Sequence, residues 1–344
     1  MKHERMKITS QHIIRLLAVI LMMAGAFGGG NRAYAISGNG SPDNPYQISS
    51  ADDWKQFESM AYSARTSYFI LTNDIVVETM FGVYYSDSST GYIFQGGFDG
   101  KGHTLTFKMG SESAPYGSEY CAPFYDCHYA TIRNLKVKGE IVTSKKFASG
   151  IVAKSGSVLI QNCISSMTIR STVDGDGTHG GFIANSQYSS KIEDGIFNGQ
   201  LLGRKTHSCG GLAGWGETAG GNDISYCIFD PQTVNIKDQE SATFGRVWPQ
   251  YYNSQTSTLN NQHNYYKTTF GEHTQGTDAR GWTDPQMYDK IKGSDSWVLH
   301  CDTLYLKPFQ RYVDITGWAS GSSANVKSPS VEGTRSDKDV VYSY

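Results

Sequence analysis

The chain has 344 residues, of which 38 are glycine and 22 are tyrosine, and charged residues make up 18% of it. Abundant glycine and aromatic residues without long apolar runs are typical of a turn-rich, all-β protein. The formal net charge is −2, so there is no electrostatic basis for binding nucleic acid.

The N-terminal segment, residues 1–35, has the pattern of a secretory signal peptide. It contains five basic residues and one acidic residue, then an apolar stretch from Leu16 to Phe27, and it ends in Ala33-Tyr34-Ala35. That ending is the small-x-small pattern of a cleavage site. The alternative is a retained membrane anchor, but this stretch would span only about 18 Å as a helix, against about 30 Å of bilayer core. The sequence therefore predicts cleavage after Ala35, export to the cell surface or the medium, and no membrane span in the mature chain.

A short polar lead, residues 36–44, precedes the segment that we predict to be the folded domain, residues 45–313. Ser49 or Ser50 can cap a helix from about Ala51 to Ala64 that carries apolar residues on one face. Exposed strand edges promote aggregation, so a helix in this position is suited to cap the open end of a stack of strands.

A glycine-flanked apolar step recurs five times through the middle of the chain. When each copy is aligned on one residue, the copies are separated by 27, 31, 30 and 34 residues. The aligned residues are Phe124, Ile151, Phe182, Leu212 and Arg246. A period of about 30 residues indicates a stack of repeated structural units.

A strand-like segment lies before each of the later steps. Its apolar and polar residues alternate, which is the period of a strand with one buried face. The leading isoleucines are Ile132, Ile160, Ile192 and Ile224, spaced 28, 32 and 32 residues apart. A second short strand follows in three copies, beginning at Glu140, Met167 and Gln200. The sequence therefore predicts an all-β fold, a right-handed parallel β-helix in which the four isoleucines form one inward ladder.

The six cysteines do not fit a disulfide framework. Cys163 and Cys227 share a position two coils apart, or about 9.6 Å at the spacing of β-strands, beyond the roughly 7 Å that a disulfide can bridge. Cys121 and Cys209 share another position three coils apart. We predict buried free thiols for Cys163 and Cys227 and no bridge between Cys121 and Cys209, whereas a bridge between Cys121 and Cys127 stays open.

The C-terminal part of the domain departs from the repeat. Asp284-Pro285 can open a short helix that reaches about Ile291. Trp297-Val298-Leu299 and Thr303–Leu306 have the pattern of a hairpin, and together these elements predict a small C-terminal cap. Residues 314–344 are rich in serine, glycine and charge and are predicted to form a flexible tail.

One copy of the glycine step, Gly210-Gly211-Leu212-Ala213-Gly214, resembles the GLUG motif of bacterial repeat proteins. Lys154 and Asn185 stand where Gly214 closes this copy. The segments Pro45–Trp54 and Phe98–His103 resemble the start of such domains. The resemblance implies a secreted or surface β-helix of bacterial origin, of the kind also found in the non-catalytic regions of secreted peptidases.

The sequence contains no catalytic signature. The zinc-peptidase pattern His-Glu-x-x-His is absent. The segment Asp174-Gly175-Asp176-Gly177 is interpreted as a surface loop rather than half a calcium loop, and His179 as a turn residue rather than a general base. The acids that could serve catalysis are scattered along the chain, at Asp74, Asp99, Asp126, Asp194 and Asp223. Most of them lie beside glycine or asparagine and are interpreted as turn residues. We predict no catalytic residue, no metal and no cofactor.

Aromatic residues gather after the last two glycine steps. The candidate ligand-binding residues are Trp215, Trp248, Tyr251 and Tyr252. Stacked coils can align them into a strip that contacts sugar rings or a protein partner, although they could instead pack under the C-terminal cap. The sequence thus predicts a monomeric surface module for binding or adhesion, with a glycan or a surface protein as ligand. The alternative is a carbohydrate-active enzyme, which would require two acids and a basic residue to converge in one groove.

Overall fold

The computed structural model describes residues 36–60, 63–82, 93–216, 222–246 and 263–310, and the short strands at 312–313 and 341–342. The predicted signal peptide and most of the predicted tail lie outside the described residues.

The described chain is built almost entirely of short β-strands. The elements of the first half are β1 (Tyr46–Ile48), α1 (Ala51–Met60), β2 (Tyr68–Leu71), β3 (Ile75–Val77), β4 (Gly97–Asp99), β5 (Thr104–Met109), β6 (Phe124–His128), β7 (Thr131–Arg133), β8 (Lys136–Thr143), β9 (Val152–Gly156) and β10 (Leu159–Ser171). Those of the second half are β11 (Gly175–Asp176), β12 (Ile183–Tyr188), β13 (Lys191–Phe197), β14 (Gln200–Gly203), β15 (Thr206–His207), β16 (Ala213–Gly216), β17 (Asp223–Ser225), β18 (Ile228–Phe229), β19 (Thr233–Ile236), β20 (Tyr265–Tyr266), β21 (Thr277–Asp278), α2 (Asp284–Ile291), β22 (Trp297–His300), β23 (Thr303–Leu306), a 3₁₀ turn (Lys307–Phe309), β24 (Tyr312–Val313) and β25 (Val341–Tyr342).

Strands of successive coils pair in parallel, so the predicted parallel β-helix is confirmed. The main sheet has 15 strands and includes the path β1-β2-β4-β7-β10-β13-β18-β20-β21. The second sheet has four strands, in the order β6-β9-β12-β16, and contains the segments that follow the glycine steps. The apolar core lies inside the coils, between the two sheets.

The inward isoleucine ladder is present as predicted. Ile132 pairs with Ile160, Ile160 with Ile192, and Ile192 with Ile224, and all four side chains are fully buried. The ladder continues toward the N-terminus through Phe98, which pairs with Ile132. Each coil therefore buries its leading apolar residue against its counterparts in the neighbouring coils.

A turn follows the ladder at the same place in four successive coils. Asn134, Asn162, Asp194 and Tyr226 each lie two residues after a ladder isoleucine and adopt a left-handed backbone, with φ between 52° and 54°. Asparagine and aspartate tolerate this conformation better than most residues. The Asn162 Nδ2 atom also donates a hydrogen bond to Asn134 Oδ1, 3.3 Å away, which links two adjacent turns.

The glycine step has the predicted register in its central copies and a different one at both ends. Ile151, Phe182 and Leu212 share one position, as aligned. Phe124, however, pairs with Val152 and is one residue out of register. Gly245 pairs with Ala213, so Phe244 rather than Arg246 occupies the position of Leu212. Phe244 is fully buried, so an apolar side chain fills the inward position that the alignment gave to arginine.

Close backbone packing explains the glycines of the step. A Cβ atom on Gly210 would lie 1.8 Å from the carbonyl oxygen of Ala213, and one on Gly211 would lie 1.9 Å from that of Thr243. Both distances are far below van der Waals contact, so any side chain at these positions would force the turn apart.

All six cysteines are free, and five of them are buried. The prediction for Cys163 and Cys227 is therefore confirmed, and the open pairing of Cys121 with Cys127 does not occur in this structure. Burial raises the pKa of the Cys163 and Cys209 thiols to about 12, so these groups act as small apolar core residues.

Helix α1 covers Ala51–Met60 and is shorter than predicted. The Ser50 hydroxyl accepts a hydrogen bond from the Asp53 backbone N–H, which caps the first turn. Trp54 is fully buried, and its ring packs against Phe124 with 5.7 Å between centroids. The helix thus contributes a large aromatic side chain to the core of the N-terminal coils.

The C-terminal unit, formed by α2 and the antiparallel hairpin β22–β23, lies along the outer face of the main sheet. Helix α2 begins with a capping box between Thr283 and Gln286. The unit covers an outward apolar row at one position of successive coils, formed by Ile164, Ile196, Ile228 and Tyr265. It extends back to the turn at Gly102, where an added Cβ atom would lie 2.2 Å from the carbonyl oxygen of Pro308.

A buried carboxylate fixes this unit to the coils. Asp194 Oδ2 accepts a hydrogen bond from Ser296 Oγ at 2.9 Å, and Oδ1 accepts one from Trp297 Nε1 at 3.1 Å. Asparagine occupies the equivalent turn in the two preceding coils, but its amide offers one acceptor atom where the carboxylate offers two.

We expect Asp194→Asn to loosen the C-terminal unit without unfolding the coils. The change keeps a residue suited to the left-handed turn but removes one acceptor and the negative charge, which should cost about 1–3 kcal/mol of docking free energy. Hydrogen exchange of residues 284–306 should become faster. Asp223→Asn, which changes a carboxylate on the adjacent strand, should leave exchange there unaltered, and equal protection in both variants would contradict the assignment.

Candidate functional site

Only one of the four predicted ligand-binding aromatics lies in the described part of the chain. Trp215 is in β16 of the second sheet and is partly buried. Trp248, Tyr251 and Tyr252 lie outside the described residues. The C-terminal unit packs on the main sheet, whereas Trp215 belongs to the second sheet. The alternative that Trp215 packs under the C-terminal cap is therefore wrong.

A buried arginine stacks on Trp215. The Arg246 Cζ atom lies 4.4 Å from the centroid of the indole ring, and the residue is only 2% exposed. Its Nη2 atom donates to Glu240 Oε2 at 2.9 Å, and Nη1 lies 4.0 Å from Asp176 Oδ1. The Nε and Nη1 atoms are buried without a hydrogen-bond partner. This arrangement holds the guanidinium over the indole ring in a cation–π contact.

Asp176 connects this stack to a second basic residue. Lys146 Nζ donates to Asp176 Oδ2 at 2.8 Å, and Thr178 Oγ1 donates to Oδ1. Burial alone would raise the pKa of Asp176, but these hydrogen bonds and the nearby Arg246 hold it below its usual value. The interpretation as a plain surface loop is wrong for Gly175–Asp176, which forms strand β11 and pairs with β15.

Four of the other acids lie in strands, and two of these also have turn-like local geometry. Asp99 ends β4 and accepts hydrogen bonds from the Lys101 N–H and from Asn134 Nδ2, and Asp194 has a left-handed backbone within β13. The interpretation as turn residues holds for these two only in their local backbone and hydrogen bonding. Asp126 lies inside β6 and Asp223 begins β17, so the interpretation is wrong for Asp126 and Asp223.

Four residues occupy one position on the strands of the second sheet. Asp126 pairs with Lys154, Lys154 with Asn185, and Asn185 with Trp215. We call these four residues the outer row, because Lys154 and Trp215 are partly exposed. Lys154 and Asn185 were expected to stand level with Gly214, but they are level with Trp215, one residue further along.

The outer row contains both donors and acceptors in close contact. Asp126 Oδ2 lies 3.4 Å from Lys154 Nζ, and Oδ1 lies 3.0 Å from His128 Nε2 without the geometry of a hydrogen bond. Asp126 is 8% exposed and Asn185 is 4% exposed, and the Oδ1 atom of each is buried without a hydrogen-bond partner. The sequence did not reveal this set, because its members lie in different coils.

Two rings flank the outer row. A Cβ atom on Gly156 would lie 2.8 Å from the His128 ring, so the glycine leaves room for the histidine to lie across the strand. The His128 and Tyr188 ring centroids are 6.4 Å apart in an edge-to-face arrangement. Tyr188 is 53% exposed and therefore presents an aromatic surface beside the row.

His179 is fully buried within the glycine step. Its Nδ1 atom accepts a hydrogen bond from the Ala148 N–H at 3.3 Å, and Nε2 lies 2.8 Å from Ser171 Oγ. Burial lowers the pKa of His179 to about 4. The residue is therefore neutral at pH 7 and has a structural role in the step.

Among the described residues, no group of three or more His, Cys, Asp or Glu side chains is arranged to hold a metal ion. No helix in the described part of the chain is long and apolar enough to cross a membrane.

Comparison with known proteins gives one distant structural likeness. No family model and no curated protein matches the chain. A crystal structure of a putative immunoglobulin A1 protease from Bacteroides ovatus aligns with 79% of this chain and 94% of its own, at 16% sequence identity and a TM-score of 0.43. At this TM-score the likeness carries no argument about function.

Proposed function

We propose that the protein is a secreted or surface-attached β-helix that binds a glycan or a surface protein at Trp215. The observation that carries the proposal is the stack of a partly buried indole on a buried arginine, held by ion pairs to Asp176 and Glu240. A ring fixed in this way loses little conformational entropy when a ligand binds, and such preorganisation favours recognition.

The location of the protein is part of the same proposal. The N-terminal pattern that ends at Ala35 supports export. The resemblance of Gly210–Gly214 to the GLUG motif supports a place on a bacterial surface or in the medium. A rigid solenoid suits this role, because it presents side chains at fixed spacing along its length.

Replacement of Trp215 should abolish most ligand binding. We expect Trp215→Ala to weaken affinity by about tenfold or more, since the ring provides the apolar contact and keeps Arg246 in place. The measurement is binding of purified protein to an array of glycans and extracellular proteins. Tyr68→Ala, which removes a 43% exposed ring from an N-terminal coil, is the matched control. Equal binding by a folded Trp215→Ala variant and the parent would refute the proposal.

A carbohydrate-active enzyme is the second candidate, because Asp176 and Glu240 converge on Arg246. Glycoside hydrolysis requires a carboxylic acid with a raised pKa beside an ionised carboxylate. The pKa of Asp176 is lowered, whereas Glu193, whose pKa burial raises, lies on the main sheet. The binding role is therefore the better supported. Release of reducing sugar from polysaccharides by the parent but not by Asp176→Asn would favour the enzyme.

A further inference from the structure

The outer row points to the chemical class of the ligand. Its four members, Asp126, Lys154, Asn185 and Trp215, lie on adjacent parallel strands. At the usual strand spacing the row is about 14 Å long and runs along the solenoid axis. A ligand that contacts all four residues must therefore be linear and lie across the coils, perpendicular to the strands.

The charges of the outer row cancel. Asp126 and Lys154 form an ion pair, and Asn185 and Trp215 are uncharged. Asp126 would repel an anionic ligand that lies along the row, and Lys154 would repel a cationic one. The row therefore favours neither charge. Carboxylates only accept hydrogen bonds and ammonium groups only donate them, whereas a hydroxyl group does both. Neighbouring hydroxyls can therefore satisfy both ends of the pair.

Polar side chains lie beside the aromatic surface of the row. Lys154 is partly exposed and can donate hydrogen bonds to a ligand, whereas Asp126 and Asn185 are only 8% and 4% exposed. A hydroxyl group can approach these two only at the small part of each residue that faces solvent. Trp215 offers an aromatic surface at one end of the row, and the exposed Tyr188 contacts His128 near the other end. Aromatic side chains with a few convergent polar groups are typical of small-molecule sites.

We infer that the ligand of this site is an uncharged glycan that lies along the outer row, with hydroxyl groups at Asp126, Lys154 and Asn185 and a sugar ring at Trp215. This inference rests on the proposed function and names its ligand class. A protein partner is disfavoured because three of the four positions are polar and two of these are nearly buried, whereas the centre of a protein interface is usually apolar.

The test compares uncharged and acidic oligosaccharides by calorimetry. The uncharged probes are cellohexaose, mannohexaose and chitohexaose, and the acidic ones are hexagalacturonate and a hyaluronan hexasaccharide. We expect binding of at least one uncharged probe, with little dependence on salt. Lys154→Met should weaken that binding by about tenfold, the scale of one lost hydrogen bond. Lys205→Met, which changes a lysine paired with Asp174 in an exposed turn, should leave it unchanged.

Asn185→Leu tests the same row if Lys154→Met does not fold, and it should also weaken binding by about tenfold. Three results would overturn the inference: binding of acidic probes alone with steep salt dependence, binding of proteins alone, or binding of an uncharged probe that both substitutions leave intact. In each case dependence on Trp215 would still support the binding module. Ligand binding that does not depend on Trp215 would instead remove the proposed function.

Discussion

Ile192→Asp is expected to lower the free energy of unfolding by at least about 4 kcal/mol, one of the largest effects available in this chain. Ile192 is fully buried and pairs with Ile160 on one side and Ile224 on the other. A carboxylate in that place has no cationic partner within the apolar ladder. It must either remain charged in the core or take up a proton, and both states are unfavourable. Chemical denaturation followed by circular dichroism measures the loss.

Two controls separate the ladder from other causes. Ile192→Val keeps an apolar side chain and should cost only about 0.5–1.5 kcal/mol. Glu193→Gln changes the next residue, which is only partly buried, and should have a smaller effect than Ile192→Asp. If Ile192→Asp unfolds at the same denaturant concentration as the parent, Ile192 does not belong to an inward ladder.

The ladder could be predicted because its signal is repeated. Isoleucine recurs at the same position in four coils, and an inward position in a solenoid accepts mainly apolar side chains. The register of the glycine step was harder to predict in its first and last copies. The first copy has no glycine beside Phe124, and in the last copy the alignment chose Arg246 instead of the apolar Phe244. Arg246 lies two residues beyond Phe244 and contacts Trp215, so this contact was missed.

The outer row could not be predicted from local sequence. Asp126, Lys154 and Asn185 meet only because three coils stack in a fixed register, and that register depends on the length of every intervening turn. The covered face of the main sheet did leave a signal. Ile164, Ile196 and Ile228 are apolar at an outward position in three successive coils, which indicates a surface that another element must cover.

Acid should destabilise the protein through His179 before it affects most carboxylates. The side chain is fully buried, and burial is the main cause of its low pKa of about 4, against 6.5 for an unperturbed histidine. Asp176 favours the protonated form and Lys146 opposes it, but both effects are smaller. Between pH 6.5 and 4 the unfolded chain therefore binds a proton that the folded chain does not. The stability associated with neutral His179 is complete above about pH 6.5 and is lost as the pH falls toward 4.

The expected loss across this range is about 3 kcal/mol, which follows from the difference between the two pKa values. His179→Gln should remove this part of the pH dependence, although it lowers stability at pH 7 because it disturbs the hydrogen bonds to Ser171 and Ala148. His207→Gln changes a partly exposed histidine in β15 and should retain the acid sensitivity of the parent. Unfolding free energies measured at pH 7, 6, 5 and 4 decide the matter. A parent and a His179→Gln variant that lose stability in parallel over this range would show that the buried imidazole is not the group that titrates.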